Sequence, residues 1–115
     1  MRNHDLPIVA ESATAAEMIH AISRGGLGLI VVQRNEQILG IITDGDIRRA
    51  MESRQYRFFD IRPMESATRE PKCIHPDCKL IEAERRMTQH KVNSLLVVDD
   101  AEHLVGVIQI YDIKL

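Results

Sequence analysis

The chain has 115 residues, 44% of them hydrophobic and 28% charged, with a formal net charge of −2. That size and balance suit a globular domain burying roughly two-thirds of its unfolded surface, and the acidic sign argues against a general nucleic-acid binder. No apolar run approaches the roughly 18 residues of a membrane span, and residues 1–12 lack the apolar core of a signal peptide, so the expected location is the cytoplasm.

A short strand is expected over 6–9. Thr14-Ala15-Ala16-Glu17 has capping-box spacing and opens a helix whose apolar stripe is Ala15, Met18, Ile19 and Ile22. Gly25, Gly26 and Gly28 make a turn, either a helix C-cap or a close approach for a ligand. Residues 29–32 form an aliphatic run of the kind covered on both faces, a polar turn holds 35–37, and a second strand covers 38–42. A helix starts near Asp44 with Ile47, Ala50 and Met51 inward.

Residues 52–64 connect this helix to the second half of the chain. Their aromatics Tyr56, Phe58 and Phe59 are expected to pin the connection onto the core. Then come a strand over 72–74 and a helix with Asp77 as N-cap and Leu80, Ala83 and Met87 on one face. Strands over 95–98 and 104–108 flank a turn at 99–102, and a last helix begins before Leu115. Met18, Met51 and Met87 are assigned to the core.

The same order of elements occurs twice. Leu39-Gly40-Ile41-Ile42-Thr43-Asp44-Gly45-Asp46-Ile47 matches Val105-Gly106-Val107-Ile108-Gln109-Ile110-Tyr111-Asp112-Ile113 at an offset of 66 residues. The run 29–32 matches 95–98 at the same offset, whereas Val9, Glu17 and Ile22 meet Ile74, Glu82 and Met87 at 65. This places a one-residue length change in the turn before the aliphatic strand. The fold class expected is α/β of the α+β type, two β-α-β-β-α repeats packed as a pseudo-twofold module. The first repeat is 1–55 and the second 56–115, cut short in its last helix.

Catalytic and metal signals are weak. Cys73-Ile74-His75-Pro76-Asp77-Cys78 holds three soft ligands where a structural zinc wants four, and the turn is expected to aim Cys78 away from Cys73. No metal and no required cofactor are expected. The five histidines share no ligand spacing, and no nucleophile triad appears. Glu17 and Glu82 recur in both copies, which favours capping over acid–base chemistry.

The motif Gly40 to Ile47 with its preceding aliphatic strand, and its second copy through Val97-Val98-Asp99 and Leu104-Val105-Gly106-Val107, resembles a tandem pair of cystathionine-β-synthase (CBS) domains. Arg24-Gly25-Gly26-Leu27-Gly28 and the run from Gly40 to Arg49 are similar in particular to the regulatory tail of bacterial arabinose-5-phosphate isomerases. There a sugar-isomerase domain precedes the pair and feeds synthesis of 3-deoxy-manno-octulosonate (Kdo) for lipopolysaccharide or capsule. The resemblance implies a fragment that is not itself an enzyme, cut from a sugar-phosphate isomerase and lacking its N-terminal domain. It also implies an allosteric module that binds a nucleotide (AMP, ADP or ATP) or CMP-Kdo and associates as a homodimer, with no nucleic acid or membrane partner. The alternative is an oligomerisation module without a ligand.

The resemblance assigns Thr43 to a phosphate and Asp46 to a ribose. Read from the residues alone, Asp44 is the N-cap and Asp46 complements the helix dipole. Gly45 lets the backbone approach a phosphate. Arg48 and Arg49 offer bidentate contacts to an anion, or form a solvated face with Glu52 and Asp60. Gly28 and Ser94 enter the aliphatic strands that border the ligand in CBS pairs. Asp112 persists in the second copy, but Gln109 and Tyr111 replace Thr43 and Gly45, so one good site and one degenerate site are expected.

Overall fold

A computed structural model describes residues 1–113, so the last two residues of the helix expected to run to Leu115 lie outside the described residues. The elements are β1 (Ile8–Ala10), α1 (Ala15–Gly25), β2 (Leu29–Arg34), β3 (Gln37–Thr43), α2 (Asp44–Arg54), β4 (Thr68–Arg69), β5 (Cys73–Ile74), α3 (Leu80–His90), β6 (Ser94–Val98), β7 (Leu104–Gln109) and α4 (Ile110–Ile113). Two 3-10 turns, Gln55–Asp60 and Pro63–Glu65, lie between α2 and β4. One sheet has the order β1-β2-β3-β4 and the other β5-β6-β7. In each, the first pair is parallel across a helix and the second is an antiparallel hairpin. Each repeat is therefore β-α-β-β-α, the expected α+β class.

Strand register corrects the expected alignment of the copies. Ile8 and Val9 pair with Val31 and Val32, while Cys73 and Ile74 pair with Leu96 and Val97. Val32 faces Gly40 as Val97 faces Gly106. The aliphatic strands thus correspond at the 65-residue offset, and the length change falls in the hairpin turn after them. Asn35 and Glu36, both at positive φ, close the first hairpin between Arg34 and Gln37. The second spans one residue more, from Asp99 to His103, with Glu102 at φ 64° and the Asp99 carboxylate accepting from the Ala101 and His103 amides. An extra residue in that turn leaves the inward faces of both strands unchanged.

The compact units cut the chain elsewhere than the repeats do. One unit is Pro7–Glu70; the other joins Met1–Leu6 to Pro71–Leu115. The cause is backbone pairing. β4 adds to β3 through Gly40↔Arg69 and Ile41↔Thr68, and Arg2 forms the equivalent bridge to Val107. Arg2 and Val107 exchange two hydrogen bonds of 2.9 and 2.8 Å. These additions explain the repeated glycine. A Cβ on Gly40 would lie 2.6 Å from the Thr68 carbonyl oxygen, and one on Gly106 would lie 2.8 Å from that of Arg2. Gly40→Ala is expected to cost roughly 1–3 kcal/mol by overpacking, read as a lower urea midpoint at unchanged slope.

Each unit holds its own cluster of buried side chains. In Pro7–Glu70 it includes Val9, Ala15, Met18, Ile30, Val32, Ile42, Ile47, Ala50, Phe58 and Ile61, with Ile19 and Ile22 packed against it. In the other unit Ile74, Ala83, Met87, Leu95, Val97 and Ile108 form the cluster. Several expectations are corrected here. Of the three clustered aromatics only Phe58 is buried; Tyr56 and Phe59 are 83% and 66% exposed. A short 3-10 turn has three residues per turn, so it seats one ring in the core and turns its neighbours outward. Met51 on α2 and Leu80 on α3 are exposed rather than inward. Leu80 is the first residue of its helix, ahead of the turn that packs.

Helix caps divide the same way. Thr14 and Glu17 form the expected capping box, and the Thr14 amide hydrogen bond holds the Glu17 carboxyl below its ordinary range. In α3 the N-cap position is Lys79, not Asp77, because Pro76 and Asp77 form a turn that ends before the helix begins at Leu80. Glu82 pairs with Arg85 and Arg86 instead of capping.

Candidate functional site

The junction of β3 and α2 gathers four of the expected site residues. Thr43 ends β3 in extended conformation, and its hydroxyl oxygen accepts from the Asp46 amide at 3.2 Å. In return the Asp46 Oδ2 accepts from the Thr43 amide at 2.9 Å. The N-cap is therefore Thr43 rather than Asp44. The reciprocal arrangement satisfies two amides at the helix start. Among the described residues the Thr43 hydroxyl accepts but does not donate, which leaves its proton for an acceptor, and the remaining amides of the first turn favour an anion.

Arg49 lies one turn on. Its Nη2 donates to Asp46 Oδ1 at 2.6 Å, and its guanidinium covers Gly45, where a Cβ would lie 3.2 Å from Nη1. The Asp46 side chain is 15% exposed and that of Arg49 is 70% exposed. Arg49, not Arg48, makes this contact; Arg48 is exposed on the same helix. Gly28, at φ 72°, adjoins the junction from the entry to β2: its carbonyl accepts from the Asp44 amide at 3.0 Å. The Asp46–Arg49 pairing has a sequence signal, opposite charges at i and i+3 on a helix. The Gly28–Asp44 link has none, because it joins residues from different elements.

The second repeat builds the same junction differently. Ile110 donates to the Asn93 carbonyl at 2.8 Å, so Asn93, not Ser94, is the counterpart of Gly28. Ser94 pairs with Gln109 as Leu29 pairs with Thr43. The Gln109 side-chain amide donates to the Ser94 hydroxyl at 2.9 Å, a cross-strand bond that Leu29 cannot make. The Gln109 backbone amide donates to Asp112 Oδ2 at 2.8 Å, keeping one half of the capping box, and Asp112 Oδ1 lies 3.5 Å from the Met1 ammonium. Tyr111, where the first copy has Gly45, is 73% exposed.

Elsewhere, Cys73 and Cys78 are free thiols, and burial pushes the Cys73 thiol up. Among the described residues no group of three His, Cys, Asp or Glu could hold a metal ion, and no helix is long and apolar enough to cross a membrane.

The CBS domain family matches residues 1–53 and again 60–114. The chain belongs to the CBS-domain family. As a CBS pair it is 37% identical over 110 residues to arabinose 5-phosphate isomerase KpsF of Escherichia coli, an alignment covering 95% of this chain and 33% of that enzyme. The chain thus spans about a third of the length of this relative. Among solved structures, the CBS domain protein PAE2072 from Pyrobaculum aerophilum, complexed with AMP, superposes with a TM-score of 0.84 at 23% identity, covering 99% of this chain and 91% of that one. The CBS domain pair of protein MJ0100, in complex with 5'-methylthioadenosine and S-adenosyl-L-methionine, gives 0.79 at 23% identity, covering 95% and 89%. These likenesses bear out the tandem CBS fold expected from the repeated motif.

Proposed function

We propose that this CBS pair is the regulatory, non-catalytic part of a bacterial arabinose 5-phosphate isomerase of the Kdo pathway, acting in the cytoplasm as a homodimer. Its ligand is a nucleotide (AMP, ADP or ATP) or CMP-Kdo, held at the start of α2. Thr43 donates its hydroxyl proton to a phosphate oxygen and Asp46 accepts from ribose hydroxyls, as acidic residues do in dinucleotide sites. Arg49 supplies a cation beside them.

The observation carrying this reading is the contrast between the copies. The Thr43–Asp46 pair keeps a free hydroxyl proton beside a carboxylate, whereas Gln109 is tied to Ser94. Similarity to KpsF and the AMP held by PAE2072 support it. Exposed Leu80 and Ile81 on α3 offer apolar surface for association. Regulation requires that the ligand bind two states of the whole enzyme unequally.

A thermal-shift series with AMP, ADP, ATP, CMP and CMP-Kdo tests the reading. At 100 times its dissociation constant a true ligand adds about 2.7 kcal/mol and raises the melting temperature by several degrees. No shift with any of the five leaves the oligomerisation module as the function.

A further inference from the structure

We propose that Arg49 sets the selectivity of this site, as a counter-ion that releases Asp46 only when the ligand brings its own anion. The inference rests on the nucleotide reading above and deepens it by naming the feature that separates a nucleotide from its unphosphorylated nucleoside.

Both oxygens of Asp46 are engaged. Oδ2 accepts from the Thr43 amide and Oδ1 from Arg49 Nη2 at 2.6 Å. The Oδ2 bond is part of the capping box that starts α2, so the helix itself holds it. The Oδ1 bond comes from a side chain that is 70% exposed and can swing on a flexible stem. A diol reaching for Oδ1 therefore competes with Arg49 for the little open surface of a carboxylate that is 15% exposed. The guanidinium also covers Gly45, shielding the backbone of the first turn. One side chain thus occupies both halves of the site.

The exchange discriminates between ligands. A neutral nucleoside displaces Arg49 and gives it nothing in return. A phosphorylated nucleoside offers the displaced guanidinium two charged phosphate oxygens, which its planar fork can take together as a Lys ammonium cannot. The second repeat differs: its sequence has Leu115 66 residues after Arg49, Ile110 and Tyr111 precede Asp112 where Asp44 and Gly45 precede Asp46, and the cation near Asp112 Oδ1 is the Met1 ammonium at 3.5 Å.

Calorimetric titrations of wild type, R49Q and R49K with AMP against adenosine, and with CMP against cytidine, test this. Wild type is expected to favour the monophosphate. In R49Q that preference falls roughly tenfold or more, because monophosphate binding weakens while nucleoside binding improves about two- to threefold on the freed Asp46. R49K is expected to keep part of the preference. Ligand-free melting temperatures of the variants, which change an exposed side chain, check that each is folded. An R49Q protein that loses the same factor for both members of a pair, or changes for neither, overturns the role of Arg49 and leaves the nucleotide reading intact. Wild type that binds neither AMP nor CMP overturns the proposal. If ADP, ATP and CMP-Kdo also fail to bind, the nucleotide reading falls with it.

Discussion

Phe58→Ala is expected to lower stability by roughly 3–5 kcal/mol, whereas Phe59→Ala next to it should change stability by no more than about 0.5 kcal/mol. Phe58 is 2% exposed, within the cluster that joins β1, α1, β2, β3 and α2. Its loss removes both the transfer free energy of a ring and the packing of its neighbours, and a site bounded by several elements relaxes only in part. Phe59 meets it edge-on at 5.3 Å but is 66% exposed. Of the two, only Phe58 anchors the connection that carries the chain from α2 to β4. Chemical denaturation with both variants checks the contrast. A loss for Phe59→Ala as large as for Phe58→Ala would mean that the neighbouring turn packs the other ring.

Asp46→Ala is expected to weaken nucleotide binding by about tenfold to a hundredfold, the 1.5–3 kcal/mol of a hydrogen bond to a charged acceptor. Thr43→Val should cost less, since it removes a neutral donor and keeps the shape. Asp112→Ala should cost least, because Gln109 is already tied to Ser94. Asp46 and Thr43 also cap α2, and losing the box costs about 1 kcal/mol of stability on its own account. Ligand-free melting temperatures must therefore be compared before affinities. Calorimetry that finds equal losses for Asp46→Ala and Asp112→Ala would remove the distinction between the copies. An unchanged affinity for Asp46→Ala would remove the site.

The local elements were legible because they rest on local rules. The Thr14-to-Glu17 spacing marks the start of α1, the unbroken aliphatic runs mark β2 and β6, and the recurrence of Gly40 to Ile47 as Gly106 to Ile113 marks two copies of one unit. The pairing of Thr43 with Asp46 is legible as a motif, though the residues alone point to Asp44 as the N-cap, one position late. The spacing alone does not say which oxygen closes the box.

Long-range geometry decided the rest. The copies align through the aliphatic strands at a 65-residue offset instead of 66 because Val32 and Val97 must face Gly40 and Gly106, and an aliphatic run looks the same after a one-residue slip. The repeated glycine reads in sequence as part of a motif; in the structure it is the place where the Thr68 and Arg2 carbonyls press against β3 and β7. Phe58 is inside and Phe59 outside because a 3-10 turn presents only one of them to the core. The grip of Arg49 on Asp46 depends on a rotamer that residue spacing permits but does not choose. Periodicity and caps are enough to mark the main helices and strands and the two copies of one unit, but not the two-residue β4 at Thr68–Arg69, which exists only by pairing with β3. Tertiary structure decided which residues meet, since contacts between distant segments depend on register and packing that no local pattern encodes.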